Sequence, residues 1–132
     1  PPRDWPVTFL LHRPTAVILA RTGLDRQLED AGVMLRPLTR HDAFVAALAR
    51  APFVITDGGS IQEEAAALGV PCLLWRSRTE RPDGVGANVV LGRYDAATTR
   101  GFLADPERFR RQAADLTAEP SRTIVEALRG LE

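Results

Sequence analysis

The amino-acid sequence predicts an α/β domain whose doubly wound, mostly parallel sheet of Rossmann-like type is covered by helices. Short apolar runs alternate along the chain with segments that have helical periodicity. The apolar runs are continuous, which is typical of strands buried on both faces of a parallel sheet. The length of 132 residues, with 45% hydrophobic and 26% charged residues, fits one compact domain, and we expect residues 1–132 to form it.

Five apolar runs are predicted to be strands because they are short and are bounded by turn residues or helical segments. They are residues 7–11, 33–38, 53–56, 72–75 and 88–92. Pro37 is expected to interrupt the second of these strands, since proline cannot donate to a sheet ladder.

The remaining segments carry helical spacing or helix-end signals. They are residues 16–23, 24–32, 41–50, 60–68, 95–105, 106–116 and 120–131. Thr15 is expected to cap the first helix and Gly23 to end it. In the fourth helix, Ser60 and Glu63 match the Ser-x-x-Glu pattern of a capping box, so we expect Ser60 to be its cap.

The charge balance argues against nucleic acid and anionic membranes as partners, because 17 basic and 17 acidic residues cancel. No apolar run approaches the roughly 20 residues of a membrane-spanning helix, and the first residues lack the pattern of a signal peptide. The single cysteine, Cys72, is expected in the core. We expect a cytoplasmic location, no cofactor and no metal. The Pro-Pro start suggests a fragment or a processed chain.

The turn after strand 53–56 is the best candidate for a ligand site, because doubly wound sheets bind ligands beyond the carboxyl ends of their strands. It reads Asp57-Gly58-Gly59-Ser60. Glycines let a ligand approach the backbone, and the first amides of a following helix attract an anion. The pattern is neither a Walker A loop nor Gly-x-Gly-x-x-Gly. The two glycines could equally form only a tight turn.

Charged residues near this turn favour a nucleotide as the anion. If Glu63 serves the cap, Glu64 is left to accept hydrogen bonds from neutral hydroxyls such as those of a ribose. Arginine side chains suited to diphosphate oxygens follow the next strand, at Arg76, Arg78 and Arg81. Glu64 could instead be a solvated helix residue, and each arginine an ordinary surface charge.

Residues 53–91 resemble the C-terminal domain of the non-hydrolysing UDP-N-acetylglucosamine 2-epimerases. The stretch "TDGGSIQEEAAALGVP" is similar to the family signature Thr-Asp-Ser-Gly-Gly-x-Gln-Glu-Glu-Ala-x-x-Leu-Gly-x-Pro, and an arginine-rich loop with "TERP" follows it. Weaker similarity extends over "PLTRHDAFVAALARAPFVI", "RYD" and "DPERFRR". The resemblance implies a two-domain glycosyltransferase-B-like fold, of which this chain would be the C-terminal, UDP-binding half without its first strand and helix.

The resemblance also implies an activity, the interconversion of UDP-GlcNAc and UDP-ManNAc by elimination and re-addition of UDP. It implies that Gly58, Gly59 and Ser60 cradle the diphosphate, that Glu64 binds the ribose hydroxyls, and that Arg81 sits at the diphosphate. The catalytic carboxylates of the family belong to the N-terminal domain, so we expect no catalytic residue here and no turnover by the isolated chain. The family is usually dimeric, which makes a homodimer one option.

Two further contacts are implied more weakly. Phe44 would pack near the uracil, and His12 would lie near the nucleotide. Phe44 could equally be a core residue, since it has helical spacing with Leu48, and His12 could be an ordinary loop histidine. The family serine before the two glycines is replaced by Gly58, with a serine at position 60 instead, which could indicate a different sugar nucleotide.

Two other functions fit the same fold. One is the nucleotide-sugar half of a glycosyltransferase. Many retaining enzymes of that fold have two glutamates eight positions apart, whereas Pro71 and Cys72 stand eight residues after Glu63 and Glu64. The other is a non-enzymatic nucleotide-binding module, which the missing catalytic carboxylates favour.

Overall fold

Parallel strand pairing organises the chain into two separate sheets. The computed structural model describes residues 5–113. Within them, one unit ends at Ala47 and a second begins at Leu48, so the boundary falls inside the helix His41–Arg50. Both sheets are parallel and both units alternate strands with helices, as predicted. The strands form two sheets, whereas one sheet was expected from the sequence.

The first unit is a β-α-α-β arrangement around two strands. Its elements are β1 (Val7–Leu11), α1 (Arg13–Thr22), α2 (Leu24–Asp30), β2 (Val33–Pro37) and the start of α3 (His41–Arg50). The two strands pair in parallel from Val7 opposite Val33 to Leu11 opposite Pro37. Gly23 ends α1 with φ 74°, in the left-handed region where glycine has no steric penalty.

Helix α1 begins earlier than predicted, and Thr15 does not cap it. His12 holds the N-cap position with an extended backbone, and its side chain makes no cap hydrogen bond. Pro14 lies in the first turn, where its fixed φ suits a helix and its missing amide leaves no donor unsatisfied. The proline therefore starts the helix before the threonine.

The second unit is a three-stranded parallel sheet in the order β3-β4-β5. Its elements after α3 are β3 (Val54–Thr56), α4 (Gly59–Leu68), β4 (Cys72–Leu74), β5 (Val89–Leu91), α5 (Ala96–Ala104) and a 3-10 helix (Pro106–Phe109). All five predicted strands are confirmed, with ends that move by no more than one residue. The carboxyl end of β3 leads directly into α4, which returns the chain to β4.

The core of the second unit lies between α4 and the sheet. It is formed by Ala65, Cys72, Leu74 and Val89. Cys72 is buried as expected, and burial raises the pKa of its thiol to about 12, so the thiol stays protonated at neutral pH. On α5, the buried Phe102 packs edgewise against Phe53, with ring centroids 5.8 Å apart.

The helix predicted over residues 106–116 is wrong where the structure describes it. A single 3-10 turn ends at Phe109, and residues 110–113 are not helical. Tertiary hydrogen bonds hold this segment, because the Arg110 guanidinium donates to the carbonyls of Ala51 and Pro52, both at 3.1 Å. The rest of that prediction, and the predicted helix at 120–131, lie outside the described residues. Between residues 5 and 113, no helix has the length and apolar character needed to cross a membrane.

A buried amide fastens the last turn of α4 to the sheet. The Asn88 side chain is 2% exposed, and its Nδ2 donates to the carbonyl oxygens of Ala65 and Val70, both at 2.8 Å. The two acceptors lie at the end of α4 and just before β4, whereas Asn88 precedes β5. One side chain therefore ties three consecutive elements together.

Replacing Asn88 with alanine should lower the free energy of unfolding by about 2 kcal/mol, because the buried amide that bonds the Val70 and Ala65 carbonyls is lost. Urea denaturation monitored by circular dichroism measures this. Gln27→Ala, which removes an exposed amide from α2, is the control and should change stability by less than about 0.5 kcal/mol. Equal losses for the two variants would contradict the structural role of Asn88.

Candidate functional site

The turn from β3 into α4 leaves the first amides of the helix outside its hydrogen-bond ladder. Gly58 is the N-cap, with φ −96° and ψ 132°, and α4 begins at Gly59. The first helical bond runs from the Gln62 amide to the Gly58 carbonyl at 3.1 Å. The amides of Gly59, Ser60 and Ile61 precede it, at the end of the helix where the dipole is positive. This geometry suits an anion.

The capping box predicted from Ser60 and Glu63 is wrong. Gly58 holds the cap position, and no side chain caps the helix. The Thr56 hydroxyl accepts a hydrogen bond from the Gly58 amide at 3.0 Å. This bond stabilises the turn over residues 56–58, which precede Ser60. The carboxylate of Glu63 is engaged elsewhere, with Arg81.

The side chain of Arg81 lies across Gly59. A Cβ atom built on Gly59 would be 2.5 Å from Nε and 2.8 Å from Cδ of this arginine, so any larger residue would push the Arg81 side chain aside. Arg81 Nη1 donates to Glu63 Oε1 at 2.6 Å. Both side chains are partly exposed, so the pair adds little to stability. Its consequence is to orient a guanidinium beside the first amides of α4.

The loop that carries Arg81 is fastened to α4 by Gln62. The Gln62 Nε2 donates to the carbonyls of Arg81 at 3.0 Å and Asp83 at 3.1 Å. Its Oε1 accepts from the Thr79 hydroxyl at 3.2 Å, and that hydroxyl accepts in turn from the Arg81 amide at 3.2 Å. The Arg81 carbonyl is thus bonded to Gln62 and the Arg81 amide to Thr79.

Sequence reasoning missed Gln62, because it assigned this residue to ordinary helix structure. The signal was present, since Gln62 and Ala65 are three positions apart on the face of α4 that is buried. A polar residue on a buried helix face must find partners. The sequence does not say where those partners lie.

The structure brings four of the predicted site residues of the second unit together at the start of α4. They are Gly58, Gly59, Ser60 and Arg81. Glu64 is half-buried on the next turn of the same helix. Arg76 lies where the loops after β4 and β5 meet, and its carbonyl accepts from the Arg93 amide at 2.9 Å.

The other two predicted residues lie in the first unit. His12 follows β1 and stands between Leu11 and Arg13, which line an open cavity of about 520 Å³ at the carboxyl ends of β1 and β2. Phe44 is half-buried on α3 and does not line this cavity.

The described residues contain no group of three or more His, Cys, Asp or Glu side chains that could hold a metal ion. At the start of α4, the second-unit site offers the first backbone amides of the helix, the Ser60 hydroxyl and the Arg81 guanidinium. These groups suit the binding of a phosphate ester by hydrogen bonds and charge.

Comparison with known proteins agrees with this chemistry. The family model described as UDP-N-acetylglucosamine 2-epimerase matches residues 3–100. A curated UDP-N-acetylglucosamine 2-epimerase of Bacillus subtilis is 37% identical over 89 residues, which cover 61% of this chain and 23% of that protein. One of Campylobacter jejuni is 46% identical over 57 residues, 43% of this chain and 15% of that protein.

A solved structure extends the likeness to the fold. The UDP-GlcNAc 2-epimerase of Neisseria meningitidis, in a crystal structure bound to UDP-GlcNAc, is 26% identical to this chain with a TM-score of 0.65. The match covers 93% of this chain and 36% of that one. It confirms the predicted fold class, since that neighbour has a glycosyltransferase-B fold. The chain thus spans only part of its relatives, and it belongs to the UDP-N-acetylglucosamine 2-epimerase family.

Proposed function

We propose that this chain is the UDP-binding part of an epimerase that interconverts UDP-GlcNAc and UDP-ManNAc. One observation carries the proposal: Arg81 lies across Gly59, beside the first amides of α4. An anion bound there would meet a guanidinium and a helix N-terminus at once. Family membership makes a UDP-sugar the substrate class that supplies this anion.

The diphosphate would be shared between backbone and side chain. The amides of Gly59 and Ser60 donate from the helix, and the Ser60 hydroxyl can add a bond because it is not used as a cap. Arg81 uses Nη1 for Glu63. Its other N–H groups are available to the ligand, since a guanidinium has five donors.

The nucleoside contacts complete the proposal. Glu64, one turn further along α4, would accept hydrogen bonds from the ribose hydroxyls. Its distance along the helix from the first amides keeps a carboxylate away from the phosphates, where like charges would repel. His12 near the nucleotide and Phe44 near the uracil remain expectations that rest on the family resemblance alone.

In the proposed reaction, this chain holds the UDP leaving group. Loss of the C2 proton of the sugar and cleavage of the bond between C1 and the diphosphate oxygen give a glycal and UDP. The diphosphate oxygen then adds back to C1, and a proton returns to the other face of C2. The residues described above would hold UDP throughout. The catalytic carboxylates would come from an N-terminal domain outside this chain. We propose that the whole enzyme is cytoplasmic, can form a homodimer and serves cell-envelope polysaccharide synthesis.

The full 132-residue chain should bind UDP and should not epimerise UDP-GlcNAc, because it carries the binding groups without the catalytic carboxylates. Isothermal calorimetry measures the first outcome and proton NMR of the sugar measures the second. Uridine, which lacks the diphosphate, is the control ligand and should bind far more weakly. No heat with millimolar UDP would contradict the binding role, and turnover would contradict the expected inactivity.

The Glu64→Ala variant should weaken UDP binding by about 1–3 kcal/mol, the contribution of hydrogen bonds to a charged group. Calorimetry with UDP and with its 2′-deoxy analogue tests the assigned partner. Removing the 2′-hydroxyl should weaken binding to the wild-type chain and have little further effect in the variant. If the two losses simply add, Glu64 does not contact the ribose.

The Gly59→Ala variant should weaken UDP binding about tenfold, because the new methyl group displaces the Arg81 side chain. Its stability should change by less than about 1 kcal/mol, since alanine favours helix and an arginine side chain can move. Gly101→Ala in α5 is the matched control, because nothing lies within 4 Å of its Cβ position. The proposal fails at this position if both variants bind UDP equally well.

A further inference from the structure

Gln62 is completely buried, with 0% of its surface exposed, although its side chain is polar. Burying an amide is unfavourable unless all of its hydrogen-bonding groups find partners. Gln62 meets this condition through bonds to the loop of residues 79–83 alone. These bonds hold the loop of residues 79–83 in place and do not connect one part of α4 to another.

The loop of residues 79–83 carries Arg81, whose guanidinium lies against Gly59 at the start of α4. Gln62 holds the Arg81 carbonyl, and Thr79, which is bonded to Gln62, holds the Arg81 amide. The Gln62 backbone meanwhile makes the first hydrogen bond of α4, to Gly58. A single residue therefore links the helix terminus to the backbone of the arginine.

We propose that Gln62 is a positioning residue for diphosphate binding, which it serves by fixing Arg81 against the first amides of α4. The inference rests on the proposed function. Without this link, Arg81 would sit on a loop whose carbonyls had lost their donor, and the loop would have to be ordered when the ligand binds. With it, guanidinium and helix amides face the same point before any ligand arrives, which is preorganisation.

Asn88, which precedes β5 and is bonded to the last turn of α4, provides a matched control. It is also a buried amide whose nitrogen donates to two backbone carbonyls. Its bonds are made at the opposite end of α4, away from Arg81. Replacing either residue with alanine removes a buried amide that donates to two carbonyls, so the effect on UDP affinity distinguishes them.

The experiment measures the dissociation constant of UDP by calorimetry for the full chain and four variants: Gln62→Ala, Arg81→Ala, the double variant, and Asn88→Ala. Arg81→Ala should weaken binding about 10- to 100-fold, as for a charged hydrogen bond. We expect Gln62→Ala to weaken it about tenfold and to have no further effect in the Arg81→Ala background. Asn88→Ala should leave UDP affinity unchanged, and uridine affinity should not change in any variant.

A loss from Gln62→Ala that persists in full when Arg81 is already alanine would overturn the inference, because the two residues would then act independently. An equal loss from Asn88→Ala would overturn it as well. Failure of the wild-type chain to bind UDP would instead overturn the proposed function, and the inference with it. If Gln62→Ala does not fold, Thr79→Val decides, since it removes the hydroxyl between Gln62 and Arg81. It should weaken UDP binding severalfold, and only while Arg81 is present.

Discussion

Helix α4 is held at both ends by buried amide side chains, and the second unit depends on this constraint. Gln62 attaches the first turn to the loop of residues 79–83, and Asn88 attaches the last turn to the start of β5. The apolar core between helix and sheet is small, with Ala65 as the buried helix residue of its central cluster. Burial of apolar surface alone does not fix how a helix slides or rotates on such a core. Hydrogen bonds do, because they are directional.

The sequence predicted the strands well because their signal is local. Apolar runs bounded by turn residues mark β1 to β5, and α3 begins and ends at the predicted residues. The turn at Gly58 and Gly59 was also found from local chemistry. One sheet was expected where the strands form two, since runs of apolar residues do not specify which strands pair.

The misplaced cap of α4 shows where local reasoning fails. Ser60 and Glu63 have the spacing of a capping box, but Arg81, eighteen positions after Glu63, takes the carboxylate. The ion pair between Glu63 and Arg81 forms in place of the capping hydrogen bond. The sequence of α4 alone does not predict it. The same holds for Gln62, whose partners are 17 to 21 positions away. Gly58, Gly59, Ser60 and Arg81 were named from the sequence, whereas Gln62 and the contacts that arrange these residues were not.

The ion pair between Glu63 and Arg81 has a consequence for how quickly a ligand can leave. A guanidinium without a counter-ion beside a helix N-terminus would be strongly positive and would attract inorganic anions. Glu63 acts as a resident counter-ion that partly neutralises this charge, at 2.6 Å from Arg81. If an anion binds as proposed, the carboxylate would be in place to stabilise Arg81 once the anion leaves. In the proposed complex, this standing ion pair would favour faster release of the ligand, at some cost in equilibrium affinity.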